Sequence, residues 1–250
     1  MPEYNPYAAP QAVDPPPPAG RSIWGGVPQA WSLGDVVEVA WQSTKRAWRP
    51  ILFAQVIALA FQYLPDLARG AAVGLQIIGE GSEADVAWNG VNTILGVLIT
   101  AFFQAGLARV HLAAARGEVP ELADVLRGGP RFLSMLGMSL LYNIAIALGL
   151  VLLVVPGIVA WIGFQFADLY IVDCGMGAIT AMGASWNVTK GHRMALLTFN
   201  VAGVVIMLLG LLACGVGAIV ALAVVRIAEA VIYLRISGRA APPPGAPAPA

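Results

Sequence analysis

Charged side chains are scarce. Asp, Glu, Lys and Arg make up 11% of the 250 residues, where a soluble domain carries about a quarter. An excess of either sign is missing too. Fourteen Lys and Arg balance fourteen Asp and Glu, which argues against the basic footprint of a nucleic-acid binder. Histidine and cysteine number two each, too few and too scattered for a zinc site, and no cofactor is expected. Cys174 and Cys214 are expected at opposite membrane faces, beyond the reach of a disulfide. Gly175-x-Gly177 lacks the strand-turn-helix setting of a nucleotide fingerprint. No nucleophile–base pair is visible, so an enzyme is not expected. The start, Met1 to Gly20, has neither the basic end nor the apolar core of a cleavable signal. The stretch from Ile51 is expected to act as an uncleaved signal anchor.

What the chain does have is long apolar runs. From Phe132 to Ala167 no residue is charged. At about 1.5 Å per residue, one helix of that length would far exceed a hydrocarbon core of about 30 Å. The run must fold back, and Pro156-Gly157 is the expected hairpin turn. Six apolar segments are expected, at about 50–66, 88–112, 132–154, 156–172, 194–213 and 215–236, with residues 67–87 either extending the first or lying at the interface. Residues 1–30, with Pro15-Pro16-Pro17-Pro18, and residues 239–250, rich in Pro and Ala, are expected to be disordered tails. The span 31–238 between them is the expected six-helix membrane domain.

The basic residues orient this domain. With a cytoplasmic N-terminus, Arg69 alone of the fourteen Lys and Arg falls outside. The positive-inside rule therefore predicts six spans with both termini cytoplasmic. Of the three outer turns, those around Pro156 and Cys214 are uncharged. The third, residues 66–87, is acidic, with Asp66, Glu80, Glu83 and Asp85.

A short amphipathic stretch precedes each predicted hairpin. Leu33, Val36, Val37, Ala40, Trp41, Thr44 and Trp48 share one helical face before the first. Leu122, Val125 and Leu126 oppose Glu121, Asp124 and Arg127 before the second. Ile179, Met182, Gly183 and Trp186 share a face before the third. Trp41-Gln-Ser-Thr44-Lys45 parallels Trp186-Asn-Val-Thr189-Lys190, and Leu148-Gly149-Leu150 parallels Leu209-Gly210-Leu211 at an offset of 61. The expected fold is thus an all-α integral membrane protein. Its six transmembrane helices form three hairpins, each led by a short amphipathic interfacial helix. Trp41, Lys45, Trp48, Trp186 and Lys190 are the expected interfacial anchors, suited to the bilayer and its anionic headgroups.

Val154-Val155-Pro156-Gly157-Ile158, Val172-Asp173-Cys174-Gly175 and Ala184-Ser185-Trp186-Asn187-Val188-Thr189-Lys190-Gly191-His192 carry a family resemblance. So do Gln104-Ala105-Gly106-Leu107, Ala115-Arg116-Gly117 and Asp124-Val125-Leu126. Over about 32–236 the chain resembles an uncharacterised superfamily of bacterial six-helix membrane proteins. That superfamily includes the membrane domain fused to some glycerophosphoryl diester phosphodiesterases. The resemblance implies a bacterial inner-membrane location. The phosphodiesterase chemistry resides in a separate soluble domain and does not carry over.

Ionisable residues at membrane depth are the candidate site. Arg109, Asp168, Arg226 and Glu229 form the expected polar cluster, with Asn143 and Asn200 within reach. Arg226 and Glu229 lie three apart and share a helix face. His111 and His192 are expected near the inner surface. Two readings compete. In the first, the protein is a non-enzymatic scaffold or envelope-homeostasis component, and the cluster is an ion-pair network. In the second, it is a small transporter or lipid-handling protein with a cytoplasm-side polar cavity. A dry, mutually paired cluster would favour the first and an open pocket the second.

Overall fold

The computed structural model describes residues 28–152, 154–212 and 216–239. Most of both expected tails, Cys214 and the turn around it lie outside the described residues. Nine α-helices and one 3-10 segment appear among the described residues, with no strand. Six helical stretches are long and apolar enough to cross a membrane. They expose large side chains such as Leu67, Ile94, Leu133, Val151 and Leu212, all more than 60% accessible. So broad an apolar surface marks a membrane-facing exterior.

The first helix, α1 (Leu33–Arg46), begins at Ser32, whose hydroxyl accepts the Asp35 N–H at 3.3 Å. Its buried stripe is Val36, Ala40 and Thr44, spaced one turn apart. Helix α2 (Trp48–Gly74) runs on through Pro65, beyond the expected end at 66. Proline removes one N–H and crowds the Phe61 carbonyl. Ending the helix in an apolar surround would strand several more polar groups, so continuation costs less. Helix α3 (Glu83–Ala115) then returns. Arg69, the exception to the charge pattern, grips Asp85 in a two-pronged pair at 2.8 and 2.9 Å, tying the end of α2 to the start of α3.

The stretch Leu122–Arg131 forms 3-10 turns rather than the expected amphipathic α-helix. Of its expected apolar face only Val125 is buried, while Leu122 and Leu126 are exposed. The segment lies against α3 at two glycines. A Cβ on Gly106 would sit 2.0 Å from the Val125 carbonyl oxygen, and one on Gly128 would sit 2.4 Å from the Phe102 carbonyl oxygen.

Helix α4 (Phe132–Leu152) is followed by α5 (Val154–Phe164). Pro156 and Gly157 stand in the first turn of α5 rather than in the reversal, a correction to the sequence reading. Proline fits a first turn because its missing N–H has no partner there. Gly157 instead permits a close crossing: a Cβ on Gly149 would meet its Cα at 2.8 Å. The fourth segment is interrupted. Residues Gln165 and Phe166 separate α5 from α6 (Ala167–Cys174), which ends at Gly175 with φ 69°. Helices α7 (Ala178–Thr189), α8 (Arg193–Leu212) and α9 (Val216–Ile236) complete the chain. Gly210, 61 residues after Gly149, also marks a close crossing. A Cβ there would lie 2.7 Å from the Gly217 carbonyl oxygen.

Helix α9 is packed by α8, α1, α3 and α2. Ala223, Ile227, Ala230, Ile232 and Tyr233 are fully buried in it. The N-terminal segment closes on its far end, with an Arg235–Asp35 ion pair and a Gln29 N–H to Arg235 carbonyl bond of 3.0 Å.

The glycine contacts are directly testable. Gly106→Ala places a methyl group on immovable backbone and should lower unfolding stability in detergent by about 1–3 kcal/mol. Gly96→Ala, at an open helical position, should leave stability unchanged or raise it by about 0.5–1 kcal/mol. Equal thermal midpoints for the two variants would contradict this packing.

Candidate functional site

An interruption in an apolar segment frees backbone groups that need partners. Helix α7 supplies them. The fully buried Ser185 hydroxyl donates to the Gly163 carbonyl at 2.8 Å and accepts the Phe166 N–H at 3.1 Å. Thr189 adds a longer contact to the same carbonyl, 3.4 Å, while bonding the Ser185 carbonyl at 3.0 Å. Thr44 makes the matching bond to Ala40 at 2.8 Å, so both Trp-x-x-Thr-Lys threonines back-bond a preceding turn. Trp186 seals the outside of the break. Its ring lies 2.3 Å from where a Cβ on Gly163 would be.

This break opens a cavity of about 600 Å³. Gln165, in the break, and Asp168, in the first turn of α6, face it. Asn143, Asn200, Arg226 and Glu229 line it from α4, α8 and α9. Five of the six expected cluster residues are thus brought together. Arg109 is not. It lies five residues from the cavity-lining Gln104, about 140° around the helix, on the side that meets the 3-10 segment. Its Nε is buried with no hydrogen-bond partner among the described residues.

The polar wall is only partly self-satisfied. Arg226 Nη1 donates to Glu229 Oε2 at 2.9 Å, with the arginine side chain 47% accessible and the glutamate 13%. Asn200 Nδ2 donates to Gln165 Oε1 at 2.9 Å, while Gln165 Nε2, in a residue 9% accessible, finds no partner among the described residues. Ser139 donates to Gln104 Oε1 at 3.2 Å, and Asn143 donates to the Ser139 carbonyl at 2.7 Å. Asp168 accepts the Leu169 N–H at 2.8 Å, and the Arg226 charge and the Gln104 side chain also act on its carboxylate. Beyond this polar end the walls turn apolar, with Trp161, Met207, Leu208, Leu211 and Ala218.

A second cavity of about 320 Å³ lies against the same wall. His111 lines it, buried rather than interfacial, with Nε2 3.3 Å from Gln55 Oε1. His192 is exposed.

The most connected ion cluster is one the sequence reading passed over. Asp173, its side chain 4% accessible, pairs with Arg116 at 2.5 Å and Arg239 at 2.6 Å and accepts the Tyr233 hydroxyl at 2.9 Å. Arg239 also reaches Cys174 Sγ at 2.9 Å. The ends of α3, α6 and α9 are joined there. Among the expected anchors, Trp41 and Trp48 are exposed and carry Lys45 and Arg49 over their rings at 5.7 and 5.4 Å. Lys190 is exposed and bonded to Asn187 at 3.0 Å. Trp186 is half-buried between Phe164 and Arg193.

The break depends on one hydroxyl. Ser185→Ala should cost about 1–3 kcal/mol of unfolding stability, because the Gly163 carbonyl and the Phe166 N–H lose a buried partner. Thermal unfolding in detergent, with the exposed Thr198→Ala as control, reads the difference. A midpoint equal to that of the control would refute this role for Ser185.

Residues 132–249 match the family model of a domain of unknown function, DUF7847. The match takes in α4 to α9, hence Asp168, Arg226 and Glu229, and leaves out α1 to α3. No curated protein and no solved structure matches the chain.

Proposed function

We propose that the protein is a multi-pass inner-membrane protein, non-enzymatic, that holds an amphiphilic molecule such as a lipid in the cavity beside the α5–α6 break. One observation carries this reading. Charged and amide side chains from five helices and the break converge on an open cavity whose far walls are apolar. Its volume lies within the range of about 300–1,000 Å³ typical of small-molecule sites. A scaffold needs no such space.

The geometry also supplies a route. Helix α4 packs with α3, α5, α6 and α7, while α8 packs with α9 and α5. We place the opening of the cavity sideways, between α4 and the α8–α9 pair. In the proposed topology both termini are cytoplasmic, and the polar end lies toward the cytoplasmic side. A lipid of that leaflet would enter with its headgroup at Arg226 and its chains toward Leu211 and Ala218. Three hairpins, each led by a short interfacial element, make up the architecture. Trp41, Lys45, Trp48 and Lys190 then meet the headgroup region. Residues Thr44 and Thr189, and Gly149 and Gly210, support the internal repeat.

Ala218→Phe fills the apolar end of the cavity. In native mass spectrometry of the detergent-purified protein it should lower the fraction carrying a bound lipid several-fold. Retention equal to wild type would sink the reading. The topology has a separate check. A compartment reporter fused after residue 240 should read cytoplasmic, and a periplasmic signal would overturn the assigned sidedness.

A further inference from the structure

The two cavities share a wall. Asp168, Arg226 and Glu229 face both. Arg226 is bonded to Glu229 at 2.9 Å, and its charge also acts on Asp168. One guanidinium therefore serves two carboxylates. The other titratable groups on the walls add no positive charge. Tyr142 is a phenol. His111, buried at 3.3 Å from Gln55 and beside the Arg226 charge, is a neutral imidazole. An ionised wall thus carries one negative charge in excess. In an apolar surround such an excess is costly until a positive charge joins it.

The remaining walls decide which kind of positive charge fits. A hard metal ion takes several oxygen ligands at short range. Among the described residues no three His, Cys, Asp or Glu side chains gather as such a set. A proton would cancel the charge and would leave the larger cavity, about 600 Å³, without an occupant. That cavity is lined by Tyr142, Trp161 and Phe164 together with both carboxylates, and by Met207, Leu208 and Leu211. Aromatic faces attract a weakly hydrated cation, and apolar walls accept the body that carries it. A separate observation also points to a ligand here. Gln165, 9% accessible in the same wall, has an amide nitrogen with no acceptor among the described residues.

We propose that the larger cavity binds a monovalent organic cation with an apolar body, its positive group at Asp168 and Glu229. This rests on the reading that the cavity holds an amphiphile, and it adds the sign of that molecule's charge. A zwitterion of the same size leaves the excess charge in place, and an anion doubles it. A small hydrophilic ammonium cancels the charge but gains nothing from the apolar walls.

Tetraphenylphosphonium and tetraphenylborate are nearly alike in size and shape and opposite in charge. Equilibrium dialysis of the full-length protein in detergent, against matched empty micelles, measures the binding of each. Wild type should bind tetraphenylphosphonium at least about tenfold more tightly than tetraphenylborate. Asp168→Asn and Glu229→Gln each remove the excess charge, and either should erase that preference. Tetramethylammonium at equal concentration should not displace tetraphenylphosphonium. Equal affinity of wild type for the two ions, as a wall neutralised by a proton would give, overturns the proposal. So does a preference that survives in both variants, displacement by tetramethylammonium, or no binding of tetraphenylphosphonium at all. In each of these cases the lipid retention of Ala218→Phe decides separately whether the cavity holds an amphiphile. Should one carboxylate variant not purify as folded protein, the other carries the comparison. If neither does, the wild-type preference between the two ions decides alone.

Discussion

One buried hydroxyl makes the rest of the site possible. Ser185 takes up the carbonyl and the N–H that the α5–α6 interruption would otherwise strand. In an apolar surround an unpartnered backbone group costs several kcal/mol by its desolvation, about as much as a marginal fold has to spare. With that cost met, the chain can turn at Gln165 and Phe166 and begin a new helix at Ala167. The turn puts Gln165 and Asp168 at one cavity wall, and the carboxylate lies at a helix start, where the helix dipole favours it. Helix α7, expected as an interfacial lead-in, is also the support on which the interrupted segment rests.

The scarce charges divide by this geometry. Some lock ends together: Arg69 with Asp85 at one end of α2 and α3, and Asp173 with Arg116, Arg239 and Tyr233 where α3, α6 and α9 meet. Those groups have their partners and leave little unsatisfied. The cavity wall differs. It keeps Arg226, Glu229 and Asp168 together beside open volume, with the Gln165 amide N–H groups unpartnered among the described residues.

Much of the layout was legible in the residues. Six apolar runs correspond to six helical stretches apolar enough to cross a membrane, because lipid-facing helices need continuous apolar sequence. Punctuation misled at Pro156, and at Pro65 it left the end of the first segment open. A proline says that one N–H is absent, and the surroundings decide whether the helix ends, as residues 48–74 and 154–164 make plain. Arg109 was grouped with Asp168 by depth alone, and depth does not give the phase of a helix against its neighbours. Asp173 was overlooked because a charge beside a span end reads as solvated. Its three partners come from positions 116, 233 and 239, which no local pattern connects.

By itself the sequence determined that the chain is helical, how many times it can cross an apolar layer, and which few polar residues stand at that depth. Those properties follow from hydrophobicity summed along a single strand of chain. Only the tertiary structure decided that Gln165 lies in a break supported by Ser185, and that Asp168 and four more polar side chains from three helices line one cavity. Those depend on the rotation and spacing of helices about one another, which small contacts at Gly106, Gly149, Gly163 and Gly210 set at distances of a single methyl group.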